Sequence, residues 1–558
     1  MKKIISVILS AIMIFSMFCF GASAENEELI ITVVNDLHYN TTYTNRIIET
    51  NKLNADFYHV GTSTRLPNEA YAIILAFLED AAENDSQFVI IPGDITDHGT
   101  DDEISVMTGL FREFEKNTGK QIYVVPGNHD YFNSSVEKFK ADYAEFGYNE
   151  AVEVDDSTAS YIVDLPGDYR LLAIDSCAPG ESRHGIDEAR LQWIANQGEK
   201  AKADGKKLIA MHHHNLLEHM VFSALIQPNG VVSAKVQNAA DVYADAGIRY
   251  IFTGHTHDHD IASYKSANGA VIYDAVTGSL NALGSLYRVV SFGEKVKFET
   301  KGVDSIDVTL LPEGITENAL AIAESNFFEY QTIATNLSYE IVFNNYTTAA
   351  GLKSFLKLED DEMNAIIDKV GNRLNEALNM PLLKKNEAEE GKSIEALAEK
   401  YNVSVPATDY KNIIDITVTI FQAHNMGDEN FPAYSDEVII LTRGLAAALN
   451  YALSEVTGEE YAKVLTVVAD LLGVNMSVNF INFAGNNINR FEGVEILITT
   501  AALPLIAEFA TDNAPADCNV TLPGYEEAPE KEVTLLDRFI DFLKMVYNAF
   551  RTFFALFF

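Results

Sequence analysis

Short apolar runs, many of them β-branched or aromatic, recur through the first half of the chain and end on Gly, Pro, Asn or Asp. They lie at Leu29–Val34, Phe88–Ile91, Ile122–Val125, Tyr161–Asp164, Arg170–Ile174, Lys207–Met211, Arg249–Phe252 and Ala270–Tyr273, and this is the pattern of buried strands. Helical spacing fills the intervals, as at Asn68–Asn84, Ile104–Asn117 and Ile186–Ala203. The alternation predicts an α/β layer fold over residues 25–305. It closes on a strand pair, Tyr287–Phe292 and Val296–Thr300, turning at Gly293-Glu294-Lys295.

From about Thr316 the strand pattern gives way to helical periodicity. Ile366–Leu378, Ile413–Ala423, Glu437–Thr457 and Tyr461–Leu472 predict a second, mostly α-helical domain over 316–510. Residues 511–532 are polar, with Pro515, Pro523, Gly524 and Pro529, and read as a linker. In the tail, 533–558, Asp537, Asp541, Lys544, Asn548 and Arg551 form one polar stripe on an otherwise apolar, aromatic helix. Such a helix lies in a membrane interface, docks on a partner, or packs on its own domain.

At 558 residues the chain exceeds one ordinary domain. Its start changes the address. Lys2 and Lys3, the apolar stretch Ile4–Phe20 and Ala22-Ser23-Ala24 form a secretory signal peptide over residues 1–24. A secreted, extracellular protein is expected, held peripherally at a cell surface if the tail binds one. Cleavage takes the formal charge from −41 to −43, so no nucleic-acid surface is expected. A phosphate-binding site in so acidic a chain needs its own local positive charge. Cys177 and Cys518, far apart and without a disulfide framework, read as two free or buried thiols.

Twelve of the thirteen histidines fall between His38 and His259, which points to metal chemistry in the α/β part. Five apolar runs end in ligand-type residues. The first gives Asp36 and His38, whose i, i+2 spacing lets both face one ion. The second gives Gly93-Asp94-Ile95-Thr96-Asp97, where one carboxylate can bridge two ions. The third gives Gly127-Asn128-His129-Asp130, the fourth His212-His213-His214, the fifth Gly254-His255-Thr256-His257.

The order D-x-H, G-D-x-x-D, G-N-H-D, H, G-H-x-H resembles the calcineurin-like metallophosphoesterases over residues 29–300. Gly185-Ile186-Asp187 followed by Gln192-Trp193 adds a weaker likeness. The resemblance implies a four-layer sandwich, with helices flanking two packed β-sheets, and a site for two divalent or transition-metal ions such as Mn, Fe or Zn. Asp36, His38 and His257 would hold the first ion, Asn128, His212 and His255 the second, with Asp94 between them. In the fourth motif His213 is the runner-up to His212, because His214 stands where relatives often carry Pro. His129 would face the substrate and aid phosphate binding or leaving-group protonation. Asp97 would orient its neighbours. His59, His184, His219 and His424 read as surface or core histidines.

The implied chemistry is hydrolysis of a phosphate ester by water shared between two ions. His98 stands where protein Ser/Thr phosphatases carry Arg, and Asp97 where purple acid phosphatases carry Tyr, which speaks against both classes. A secreted phosphodiesterase is the favoured expectation. A phosphomonoesterase of the same family and a non-catalytic metal-containing binding protein are the alternatives. The inserts Tyr39–Leu66 and His214–Val236 could wall the site and select substrate.

Overall fold

The computed structural model describes residues 28–41, 51–54, 57–59, 64–177, 186–219, 231–236, 238–356, 361–427, 429–432, 435–471 and 516–525. The expected signal peptide, the tail helix and about half of each insert lie outside the described residues, as does His184.

The chain opens on β1 (Leu29–Val33), followed by a short pair, β2 (Asn51–Asn54) and β3 (Phe57–His59). The order then runs α1 (Ala70–Glu83), β4 (Phe88–Ile91), α2 (Asp101–Thr118), β5 (Gln121–Val124) and α3 (Val136–Asp142). Next come β6 (Glu153–Val154), β7 (Tyr161–Asp164), β8 (Tyr169–Ala173), α4 (Glu188–Asp204), β9 (Lys207–Met211), α5 (Val232–Lys235), α6 (Ala239–Asp245) and β10 (Ile248–Thr253). The strands β11 (Asp260–Lys265), β12 (Val271–Val276), β13 (Leu286–Phe292) and β14 (Lys295–Gly302) complete this part.

These strands build two mixed sheets. The first has the order β14-β13-β1-β4-β5 and gains a sixth strand from far along the chain. The second has the order β11-β12-β10-β9-β8-β7-β6. β1, β4 and β5 run parallel, as do β8, β9, β10 and β12. Alternate side chains of each central strand face alternate layers. On β9, Ile209 and Met211 join the core between the sheets, while Leu208 and Ala210 join the outer core under α4 and α6. Burial on both faces explains why these strands read as unbroken apolar runs. A third core lies outside the first sheet, where α1 and α2 pack Ile73, Phe77 and Phe111. Helix, sheet, sheet, helix is the expected four-layer sandwich.

The helical region comprises α7 (Glu317–Ser325), α8 (Phe327–Thr347), α9 (Ala349–Leu356), α10 (Asp361–Asn379), α11 (Ile394–Glu399), α12 (Ile413–Met426), α13 (Asp436–Leu453) and α14 (Gly458–Leu471). It has its own core, built from residues such as Ile366, Ile413, Ile420, Leu441 and Tyr461. Ala319, Ala323, Phe327, Tyr330 and Ala334 of α7 and α8, however, bury themselves in the core outside the first sheet. The change of periodicity near Thr316 therefore marks a change of element type and not a break in packing.

One expectation is corrected. Within the stretch read as a 511–532 linker, β15 (Asn519–Pro523) pairs antiparallel with β14 and supplies the sixth strand of the first sheet. Leu522 is buried between the sheets, with Val520 packed against the same core. Val520 and Leu522 alternate with polar Asn519 and Thr521 in a stretch punctuated by Pro515, Pro523 and Gly524, so the turn residues outweigh the strand pattern in the sequence.

Candidate metal centre

All five motifs lie at or just beyond the carboxyl ends of parallel strands, where open α/β sheets gather their functional groups. β1 leads to Asp36 and His38, β4 to Asp94, β5 to Asn128 and His129, β9 to His213, and β10 to His255 and His257. The backbone there is unusual. Asp36, His38, Asp94, His255 and His257 have φ of 52°, 43°, 49°, 70° and 64°. Non-glycine residues seldom adopt this left-handed region, and such strain gathers at functional sites. Two glycines allow the loops to close on one another. A Cβ on Gly127 would lie 2.0 Å from Asp94 Oδ1, and one on Gly254 would lie 2.5 Å from Asp36 Oδ2.

The ligand-type atoms converge in two linked groups. In the first, His257 Nε2 lies 3.4 Å from Asp36 Oδ1 and 3.2 Å from His38 Nε2, with His38 Nε2 3.7 Å from Asp36 Oδ1. In the second, Asn128 Oδ1 lies 3.0 Å from both His213 Nε2 and His255 Nδ1, which are 3.1 Å from each other. Asp94 Oδ2 stands between the groups, 3.6 Å from His38 Nε2 and 3.3 Å from His213 Nε2. Ligand atoms each about 2.1 Å from one ion, in tetrahedral or octahedral array, are roughly 3.0–3.4 Å apart. The imidazole, carboxylate and amide donors present therefore fit metal ions in both chemistry and spacing.

His212 does not join them. Its Nδ1 lies 2.6 Å from the His214 carbonyl, its Nε2 is buried without a hydrogen-bond partner, and its ring packs edge-on against Tyr243. The expectation for His212 is thus corrected to His213. The alternation of β9 continues through the motif, so His213 shares the inward face with Ile209 and Met211. His212 follows Leu208 and Ala210 outward. Both faces of β9 are apolar, which left the phase undecided in the sequence.

The electrostatics suit ligation. Burial chiefly, with neighbouring cations, holds His38 and His255 at pKa values of about 3, so both rings are neutral. Burial opposes ionisation of Asp36, but His257 and His213 hold its carboxyl below the usual range. Burial likewise opposes Asp94, which His213 and His129 hold well below that range. Burial also opposes charging of His213, yet Asp94 and Asp36 raise it to about 9. A proton on His213 and a metal cation thus answer the same two carboxylates.

His129 sits at the edge of the cluster, its side chain 25% exposed. Its Nδ1 lies 2.8 Å from the Asp97 carbonyl and 3.2 Å from Asp97 Oδ1, and its backbone N–H donates to Asp94 Oδ1 at 2.9 Å. His129 also comes close enough to His38 and Asp94 to share an ion with them. Asp97 Oδ1 lies 3.3 Å from His38 Nδ1 and 2.6 Å from Arg65 Nη1, so its carboxylate stands beside a ligand-type ring and His129 together.

Two further residues were not singled out from the sequence. The Asp130 carboxylate accepts from the backbone N–H groups of Ile95, Thr96 and Gly127 and from the Thr96 hydroxyl, tying the second motif to the third. Its place in G-N-H-D was the only signal. Arg65 reaches Asp97 from the insert after the first motif, where no local pattern marks it.

Residues 29–259 match the family model described as calcineurin-like phosphoesterase. A probable glycerophosphodiester phosphodiesterase GpdQ from Arcobacter nitrofigilis is 36% identical over 135 residues, which are 24% of this chain and 44% of the relative. The chain thus spans less than half the length of that curated relative. Among solved structures, a dimetal phosphatase from Danio rerio aligns at 13% identity and a TM-score of 0.35, over 49% of this chain and 96% of that one. A purple acid phosphatase from yellow lupin (Lupinus luteus) seeds aligns at 12% identity and a TM-score of 0.34, over 50% of this chain and 52% of that one.

Proposed function

Residues 29–259 are a calcineurin-like phosphoesterase domain, and from that premise we propose that the protein is a dinuclear metal-dependent phosphoesterase acting on phosphodiesters. The observation that carries this reading is the convergence of seven side chains, Asp36, His38, Asp94, Asn128, His213, His255 and His257, from five strand ends at ligand-to-ligand spacings. Asp36, His38 and His257 would hold one ion and Asn128, His213 and His255 the other, with Asp94 shared. Divalent ions at such a site supply Lewis acidity and a water acidic enough to lose its proton near neutral pH.

The chain's own residues contribute position and proton transfer. Asp97 engages His129 Nδ1, so Nε2 is the atom that would meet the substrate. Burial lowers the proton affinity of His129, but Asp97 and Asp94 raise it above that of an ordinary histidine. An imidazolium there would protonate the leaving oxygen, a role worth about 10²–10⁴-fold. The likeness to a glycerophosphodiester phosphodiesterase supports a diester whose leaving group is a small alcohol.

Two further readings belong to the same proposal. Residues 1–24 direct export, which the N-terminal sequence of protein recovered from the medium tests, with Glu25 expected first. The tail, 533–558, attaches the protein to a membrane surface. Equal flotation with liposomes of the full chain and of one ending at residue 531 would remove that reading.

Turnover is tested on a chromogenic phosphodiester beside the matching monoester, with protein stripped by chelator and resupplied with Mn²⁺, Zn²⁺ or Fe²⁺. Metal-dependent turnover with the diester preferred is expected. The reverse preference would make the protein a phosphomonoesterase. No turnover with ions bound would make it a binding protein.

A further inference from the structure

We infer that the C-terminal end of α12, in the helical region, is a strut that fixes His257 for metal binding, with Asn425 and His424 as its positioning residues. The inference rests on reading the site as a dinuclear metal centre. The loop Gly254–His259 carries two ligand-type histidines in left-handed backbone, and something must hold it there. At its first half the phosphoesterase part does so. Gly254 N–H donates to the His213 carbonyl at 3.0 Å, and His255 N–H donates to Asp36 Oδ2 at 3.0 Å.

The second half is held from the helical region, residue by residue. Asn425 Nδ2 donates to the His257 carbonyl at 3.1 Å. The Asp258 carboxylate lies 3.5 Å from His424 Nε2, while His424 Nδ1 is 2.7 Å from Glu429 Oε1. His259 N–H donates to the His424 carbonyl at 3.3 Å. Asp258, His259, His424 and Glu429 are all buried, so water does not compete for these contacts.

The strut is itself braced. The Tyr339 hydroxyl of α8 donates to Asn425 Oδ1, which leaves Asn425 Nδ2 directed at the loop. Gly427 ends the helix at φ 78°, and a Cβ there would lie 2.8 Å from the His259 carbonyl. Ile413, Ile414, Ile416 and Ile420 anchor the rest of α12 in the helical core. The placement of a donor to one ion is therefore set by a core that the phosphoesterase sheets do not contain. Outer groups that orient metal ligands act in this way, and their loss weakens metal binding about 10–100-fold.

The test is Mn²⁺ binding by calorimetry to the full chain, stripped by chelator, with apo thermal unfolding in parallel. Wild type is expected to bind two ions, and His257→Ala identifies which binding step belongs to His257. Asn425→Ala is expected to weaken that step by about 10–100-fold and leave the other step in place. Tyr339→Phe, which removes one oxygen, is expected to weaken the same step by less. A merely structural role would lower the apo melting temperature and spare both affinities. Should Asn425→Ala not fold, Tyr339→Phe decides in its place. Wild-type affinity for both ions in the folded variants overturns the strut. Wild type that binds fewer than two ions overturns the dinuclear reading itself, and does so before any variant is compared.

Discussion

At the scale of single residues, the five motifs gave the site its outline, and what they left open had a physical cause. A short apolar run followed by Asp, Asn or His is legible because strand ends deliver such groups together. The phase of His212-His213-His214 was not legible, because β9 is buried on both faces and nothing in its composition marks the inward one. Structure and sequence then separate two variants. His213→Ala is expected to lose an ion and to cut turnover by more than the roughly 10–100-fold typical of an outer hydrogen-bonding partner. His212→Ala is expected to keep both ions and lose about 2–4 kcal/mol of stability through the buried cavity it leaves. Metal content by mass spectrometry, with thermal unfolding, distinguishes them. Gly127→Ala tests the closeness of the loops. Its methyl would strike both the carboxylate and the backbone nitrogen of Asp94, an overpacking expected to cost at least about 1–3 kcal/mol and to abolish metal-dependent turnover.

Elements were legible where they were long or regular. Phe88–Ile91 and Lys207–Met211 appear as strands with the bounds their apolar runs suggested. β11 was missed because its burial fades along its length to an alternation of exposed and half-buried positions. β15, no shorter than Phe88–Ile91 or Lys207–Met211, was missed because only Leu522 in it is buried and prolines bracket it, and with it the course of the chain after the helical region. Helical periodicity also does not say which core a helix joins. α8 is stapled to the phosphoesterase part by Tyr330 on Glu69 and by Gln331 Nε2 donating to Ser285 Oγ at 2.6 Å. Leu522→Ala, at the buried face of β15, is expected to destabilise the phosphoesterase part by about 2–5 kcal/mol. If residues 519–523 were only a linker, the melting temperature would not move.

For the whole molecule, the formal charge of −41 is offset locally by buried imidazolium groups. His219 lies between Asp260 and Asp274, and His424 between Asp258 and Glu429. Burial opposes their charging, but these carboxylates raise His219 to about 10 and His424 to about 9. A histidine raised in the folded state stabilises fully below its unfolded value of about 6.5 and loses that contribution as pH rises through the folded value. The apo protein is therefore expected to lose stability progressively between pH 6.5 and about 9–10, as each lost proton also adds to an already large negative charge. Melting curves of chelated protein across that range measure it. His219→Gln and His424→Gln should each flatten part of the slope, and an unchanged slope in both would separate it from these two pairs.

The strand β15 also carries a lesson about order in time. Residues 517–525 touch both sheets. Asp517 Oδ1 accepts from Ile261 N–H at 2.9 Å, the Gly524 carbonyl accepts from Arg249 at 2.6 Å, and the Tyr525 hydroxyl donates to the Leu208 carbonyl. A ribosome makes the N-terminal end first, so β1 to β14 exist for some two hundred residues of synthesis with the edge of β14 uncovered. Such an edge is open to pairing with other chains. The sandwich can be sealed only when residue 525 has emerged, with the helical region already made. Completion of the two-sheet part thus comes near the end of translation, and a chain released early in the helical region would carry every ligand-type residue and still lack the strand that covers β14.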